Sequence, residues 1–469
     1  MKRKNSQQYE ILTVEGYGSD GEGVAHLNDG MTCFVTGAVK GETCRVKLNK
    51  IGRSCAWGEV DQVIDRSPAR RDVDCPYFTR CGGCSLRYMN YEEELGFKKQ
   101  KVQDALSRIG GSNVTVTQIY GAVETERYRN KVQFPVGGGA IGFYQKRTHA
   151  VTDVDDCLLQ PEACANLRRA VKEWMGQYSV PAYDEKRHVG LVRHVYVRTN
   201  SHGESLCCLM VNGESLPREE ELVSALRNAD NGLVGVVLGI NKKKTNVILG
   251  DAYRTLWGQD YLEETLCGLK FRLSVPSFFQ VNREQTEVLY AKALELAEMT
   301  GNELVLDLYC GIGTISLALA GQAGRVIGVE VVPEAIEDAK KNAQRNGVTN
   351  AEFFCADAED IAQKLAQDGL KPDVITVDPP RKGLAQGVVD AIVQMAPRRV
   401  VYVSCDPATL GRDVKRFEEQ GYCAETALAV DLFPRTSHVE TVVLLSRKKA
   451  DDYVRISVHA KDLKKDSEA

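Results

Sequence analysis

Cys405 stands where an apolar run ends, in VYVSCDPATL (401–410), and is followed by Asp406-Pro407 instead of a helix of apolar residues. A thiol at the carboxyl end of a strand can attack an electrophilic carbon, whereas a free cysteine inside a core is inert. The preceding run, DVITVDPP, ends in Asp378-Pro379-Pro380-Arg381. If the two runs are neighbouring strands, a carboxylate lies beside the thiol. The last apolar run begins at Glu440, in HVETVVLL. If that strand is antiparallel to the others, its start returns to the same edge, and Glu440 can take the proton that a covalent adduct must lose. His438 is the rival base. The expected chemistry is nucleophilic addition, then proton removal and elimination.

A second constellation suits a methyl donor. LDLYCGIGTISL (306–317) follows a strand and opens a helix, with Gly311 and Gly313 where the backbone must turn tightly and approach a ligand. Glu330 ends the next strand, RVIGVE, where a carboxylate can accept from both ribose hydroxyls. Asp307 precedes the loop, and Asp357, in CADAED, suits the adenine side. The third glycine of the dinucleotide spacing is missing, so no provision for a pyrophosphate is evident. The pattern favours S-adenosylmethionine over NAD. Asp-Pro-Pro also occurs in methyltransferases of amino groups, but an aromatic residue usually follows there; here Arg-Lys-Gly follows.

Cys75, Cys81 and Cys84 form a C-x5-C-x2-C pattern in a glycine-containing loop with no histidine nearby. Four thiolates suit a structural zinc as well as an iron-sulfur centre, and the fourth could come from Cys157 or Cys164. The spacing differs from the C-x3-C-x2-C of radical S-adenosylmethionine enzymes. Residues 127–149, RYRNKVQFPVGGGAIGFYQKRTH, hold several cations, among them Arg129 and Lys131, with four aromatics and no carboxylate. That composition suits an RNA-facing surface, with a solvated β-hairpin as the plainer alternative.

These groups need a scaffold of several domains, since 469 residues exceed one compact core. Residues 1–66 read as a small β-barrel of roughly five strands, from turn signals recurring about every ten residues. Residues 67–275 read as a mostly β central domain that carries the cysteines. Residues 276–469 alternate strands and helices, which predicts a doubly wound parallel sheet in an α/β domain. The tail KDLKKDSEA is polar and expected to fray. With 43% hydrophobic and 26% charged residues, no membrane-length apolar stretch and no secretory signal, a cytoplasmic monomer that does not engage membranes is expected. Fifteen irregularly placed cysteines argue for reduced thiols over a disulfide framework. A net charge of -4 argues against a general nucleic-acid coat but not against a local basic face.

Together SFFQVN (277–282), LDLYCGIGT, DPPRKG, SCDPATLGRD and HVETVVLL stand in the order and spacing of a known family. Over nearly its whole length the chain resembles the RNA 5-methyluridine methyltransferases, particularly the bacterial 23S ribosomal RNA (uracil-5-)-methyltransferases. The resemblance implies a Rossmann-like class I methyltransferase domain that makes 5-methyluridine, with Cys405 as nucleophile and Glu440 as proton acceptor. It also implies that Gln280, Tyr309, Glu330 and Asp378 line the donor site. It selects Cys157 as fourth ligand to a [4Fe-4S] cluster and likens the N-terminal barrel to a TRAM domain, an RNA-binding barrel of the oligonucleotide-binding type. Phe278 and Phe279 could stack on bases, core packing being the alternative. RNA 5-methylcytosine enzymes usually carry a second cysteine near Asp-Pro-Pro, which is missing here. Transfer RNA competes as substrate because the catalytic motifs are shared. The barrel and cysteine cluster tip the expectation towards ribosomal RNA. A small-molecule or protein methyltransferase and a noncatalytic RNA-binding module are the more distant readings.

Overall fold

The computed structural model describes residues 8–448; the polar tail lies outside the described residues. The first six strands, between Gln8 and Asp65, form one sheet. The strand beyond the roughly five expected is the two-residue Gly16–Tyr17. Alternation along Thr43–Ile51 turns Cys44 and Val46 inward, where they pack with Cys33, Val35 and Ala56. Two of the fifteen cysteines are thereby core residues.

Seven strands between Lys131 and Gly258 form a central sheet. Helices Glu162–Gln177 and Glu219–Ala229 cover one face, and every residue of Val192–Thr199 and Ser205–Val211 is buried. Burial on both faces explains why SLCCLMV is continuously apolar.

The C-terminal sheet has eight strands in the spatial order Ala351–Cys355, Arg325–Glu330, Leu304–Leu308, Val374–Val377, Arg399–Ser404, Glu440–Arg447, Tyr422–Val430 and Val116–Tyr120. Its first five members are parallel, as the strand-helix alternation predicts. Chain order reverses at Leu304–Leu308, the place where open α/β sheets bind ligands. Apolar clusters fill both faces.

One difference from the chain-order division concerns residues 91–120. Val116–Tyr120, placed by sequence in the central region, pairs with Tyr422–Val430 as the edge of the C-terminal sheet. Helix Tyr91–Asp104 and the π turn Ala105–Ile109 pack beside it. At Gly411 a Cβ would lie 2.4 Å from the Ala105 carbonyl, so only glycine permits this approach. Edge pairing depends on partners some 300 residues away, which local patterning does not encode. Among the described residues no helix is long and apolar enough to cross a membrane.

Candidate active site

Strands Val374–Val377 and Arg399–Ser404 run parallel, so Asp378 and Cys405 emerge on one rim. Glu440–Arg447 runs antiparallel to Arg399–Ser404, with Ser404 opposite Thr441. One step further along this register places Glu440 beside Cys405. The geometry is the one expected from an antiparallel last strand. Asp406, read from sequence only as marking that no apolar helix follows Cys405, proves to be a helix cap. Its carboxylate accepts from the Ala408 and Thr409 amides at 3.0 Å, and Pro407 opens helix Pro407–Glu419. Aspartate at the cap with proline at the first helical position is itself a start signal, so this helix was legible although it was not drawn from the sequence.

The rim is acidic and largely enclosed. Burial, then repulsion from Asp378, pushes the Glu440 carboxyl up to about 8. Burial and the neighbouring Asp307 push Asp378 up to about 7. Burial, followed by Glu440 and Asp378, pushes the Cys405 thiol up to about 11. Asp378 thus acts on both Glu440 and Cys405, and Arg381 opposes the upward shifts of both. Arg381 is placed by a turn in which the Gly383 amide donates to the Pro380 carbonyl at 2.8 Å, with Gly383 at φ 71°. Its role as the local cation went unremarked in the sequence, although it directly follows Asp-Pro-Pro. His438 reaches the cavity surface, yet packing and the nearby Arg381 and Lys101 bring its imidazole down to about 4. It is neutral at physiological pH, and its low basicity makes it the weaker candidate base.

The donor-type loop turns through Tyr309 at φ 71°, Gly311 at φ 54° and Gly313 at φ 83°. A side chain on Gly313 would also press on Phe353 and Ala339, at 3.1 and 3.2 Å. Glu330 accepts from the Gly311 amide at 3.2 Å and from the Val331 and Val332 amides at 2.9 and 3.1 Å. That fixes the carboxylate at the strand end. Asp307 corrects the sequence expectation of a ligand contact: it is fully buried and accepts from the hydroxyls of Ser316 and, at 2.8 Å, Thr376. It ties its strand to helix Thr314–Ala320 and to the neighbouring strand Val374–Val377. Asp357 is exposed and caps helix Ala358–Gln367, with Oδ1 accepting from Glu359 at 2.8 Å. Gln280 sits on the neighbouring segment, held by Asn130 Nδ2 donating to its backbone carbonyl at 2.9 Å.

The two phenylalanines separate. Phe278 is 64% exposed, with the Lys131 ammonium 5.6 Å from its ring centre. Phe279 is 3% exposed and packs on Phe271, so the expectation that it stacks on bases gives way to core packing. Burial and the cations Arg198 and Arg129 lower the Lys131 ammonium to about 8. Arg129 and Lys131 line a cavity of about 1030 Å³ that extends to Arg381 and His438.

Cys75, Cys81, Cys84 and Cys157 line that same cavity. Cys164 lies in the central core instead. Among the described residues no three His, Cys, Asp or Glu side chains converge on a single-ion site.

Comparison with known proteins agrees with this geometry. The family described as tRNA (Uracil-5-)-methyltransferase matches residues 238–448. A protein of Clostridium tetani described as an uncharacterized RNA methyltransferase is 44% identical over 448 residues, covering 94% of this chain and 97% of its own. One from Halalkalibacterium halodurans with the same description is 45% identical, covering 95% and 98%. The structure of Pyrococcus abyssi tRNA (uracil-54, C5)-methyltransferase with S-adenosyl-L-homocysteine superposes with a TM-score of 0.75 at 26% identity, covering 93% of this chain and 100% of its own. With a thiol and a carboxylate meeting on the rim of a methyltransferase sheet, and relatives of this length and similarity, the chain belongs to the S-adenosylmethionine-dependent RNA (uracil-5-)-methyltransferase family.

Proposed function

We propose that this enzyme converts specific uridines of 23S ribosomal RNA to 5-methyluridine, with Cys405 as nucleophile and Glu440 as the base that completes the reaction. The observation that carries the mechanism is the shared rim of Cys405, Glu440 and Asp378, brought together by the register of three neighbouring strands. Carbon 5 of uracil is too weak a nucleophile unaided. The Cys405 thiol must first lose its proton, and Arg381 is the cation that favours the thiolate. The sulfur bonds carbon 6, and the electrons of the C5–C6 double bond move into an enolate, making carbon 5 nucleophilic. S-adenosylmethionine, when bound, supplies the methyl group. Glu440 then removes the proton from carbon 5, the double bond re-forms, and the Cys405 sulfur leaves. Gln280, Tyr309, Glu330, Asp357 and Asp378 hold the donor, with Gly311 and Gly313 allowing its close approach. Phe278, Arg129 and Lys131 hold the RNA, whose target base must be flipped out of its stack.

Cys75, Cys81, Cys84 and Cys157 fit a [4Fe-4S] centre. Their four thiols line one cavity and form an all-sulfur donor set of the kind such a centre accepts. Such a centre would have a structural and RNA-positioning role here, beside an N-terminal TRAM-like barrel that binds RNA.

Transfer RNA is the second reading. The Pyrococcus abyssi enzyme acts on tRNA and spans 93% of this chain, so overall length does not separate the two RNA classes. The N-terminal barrel and the cysteine cluster, not the shared catalytic motifs, are what favour ribosomal RNA. The test is to incubate the enzyme with methyl-labelled S-adenosylmethionine and, separately, protein-free ribosomal or transfer RNA, then identify the labelled nucleoside by mass spectrometry. Labelled 5-methyluridine from ribosomal RNA alone supports the proposal. Label in transfer RNA transfers the same chemistry to the other substrate, and no labelled uridine in either removes Cys405 from its role.

A further inference from the structure

The segment that leaves the cysteine cavity is hydrogen-bonded to the loop that delivers Glu440. The amides of Ser85 and Leu86 both donate to the Arg435 carbonyl, at 3.0 and 3.1 Å. In return the Ser437 amide donates to Ser85 Oγ at 3.0 Å. A second link passes through one carboxylate, since Glu126 Oε2 accepts from Arg87 at 2.7 Å and Oε1 accepts from Arg435 at 3.4 Å. Arg87 and Arg435 are 1% and 4% exposed, and the Glu126 side chain that joins them is 32% exposed. The loop they hold has no helical or strand hydrogen bonding between Asp431 and Val439, and Arg435 itself sits at φ 71°. A non-glycine residue in that conformation persists only where its surroundings hold it.

We propose that Ser85 and Glu126 are positioning residues for the methylation reaction: they clamp the Arg435–Val439 loop and thereby set Glu440 against carbon 5 of the substrate base. The inference rests on Glu440 being the base. Glu126 lies outside the cavity lining and Ser85 lines it beside Thr436 and Ser437; both are bonded to the loop, through which they act. Because the clamp touches the last strand's entry and not the strand of Cys405, it governs resolution of the covalent adduct more than its formation. The two guanidiniums keep other carboxylates, Asp74 for Arg87 and Glu94 for Arg435, so Glu126→Gln strands neither charge.

The experiment uses full-length Glu126→Gln, Ser85→Ala, Ser85→Thr and Glu440→Gln proteins with labelled S-adenosylmethionine and whichever RNA, ribosomal or transfer, accepts label. Single-turnover samples on denaturing gels follow formation and decay of the protein–RNA adduct separately, and S-adenosylhomocysteine affinity is measured alongside. Displacing a base by about 1 Å costs up to roughly a hundred-fold. The expected result is adduct decay slowed roughly ten- to a hundred-fold in Glu126→Gln and Ser85→Ala, with formation and donor affinity near parental and Ser85→Thr restoring decay. Parental decay in both variants, while Glu440→Gln holds the adduct, overturns the clamp alone. Formation and decay falling together with the melting temperature also overturn it, as general destabilisation. Failure of Glu440→Gln itself to hold the adduct removes Glu440 as the base, and the clamp falls with it.

Discussion

Glu440→Gln should stabilise the protein while disabling it, and the effect should depend on pH in one direction. Glutamine mimics the protonated acid, so the difference between the two proteins isolates the cost of ionising this buried carboxyl. Moving a carboxyl from its ordinary 4.5 to about 8 costs about 5 kcal/mol, at about 1.4 kcal/mol per pH unit. A group whose folded value is raised contributes stability that is fully present below its unfolded value and lost as pH rises through the folded one. The parent should therefore match Glu440→Gln below pH ~4.5 and fall behind it between there and pH ~8. Part of the shift is repulsion from Asp378, which is itself held protonated up to about 7. We therefore expect a gap of about 3 to 5 kcal/mol above pH ~8 and a smaller one at pH ~7. Urea unfolding of both proteins at pH 5, 7 and 9 measures it, since titrating groups remote from Glu440 cancel in the difference. A gap that stays constant with pH, or a parent more stable at pH 9, would refute a buried, reluctantly ionised carboxyl at this position.

Phe279→Ala should cost roughly 3–5 kcal/mol in denaturant unfolding, whereas Phe278→Ala should leave stability within about 0.5 kcal/mol and weaken RNA binding by about 1–3 kcal/mol in a filter-binding assay. Equal stability losses would contradict their separate environments. Arg381→Gln should raise the Cys405 thiol further and slow its alkylation at pH 9 by roughly three- to ten-fold, read by mass spectrometry of the labelled peptide; unchanged alkylation would show that Arg381 does not favour the thiolate. Cys157→Ser should lower iron and acid-labile sulfide in the purified protein while Cys164→Ser retains them. The opposite pattern would reassign the fourth ligand.

The candidate catalytic and binding residues were legible because each sits at an abrupt change of local pattern. Cys405 and Asp378 end apolar runs, Gly311 and Gly313 open a helix, and three cysteines crowd ten residues. Strand-helix alternation is likewise a local signal, and the parallel sheet follows from it. The cap formed by Asp406 was available from the same signals, but its position beside a reactive cysteine drew a functional reading instead.

What the sequence by itself determined is the inventory of reactive groups and the elements that end in them. Only the tertiary structure decided which of two adjacent phenylalanines faces solvent, that both oxygens of Asp307 are taken by the Ser316 and Thr376 hydroxyls, that Cys164 belongs to the core, and that Val116–Tyr120 joins the C-terminal sheet. The physical reason is common to all four. Burial and protonation are set by groups brought together across long stretches of chain, and a carboxyl such as Glu440 has ordinary acidity until the fold removes its water and sets Asp378 beside it.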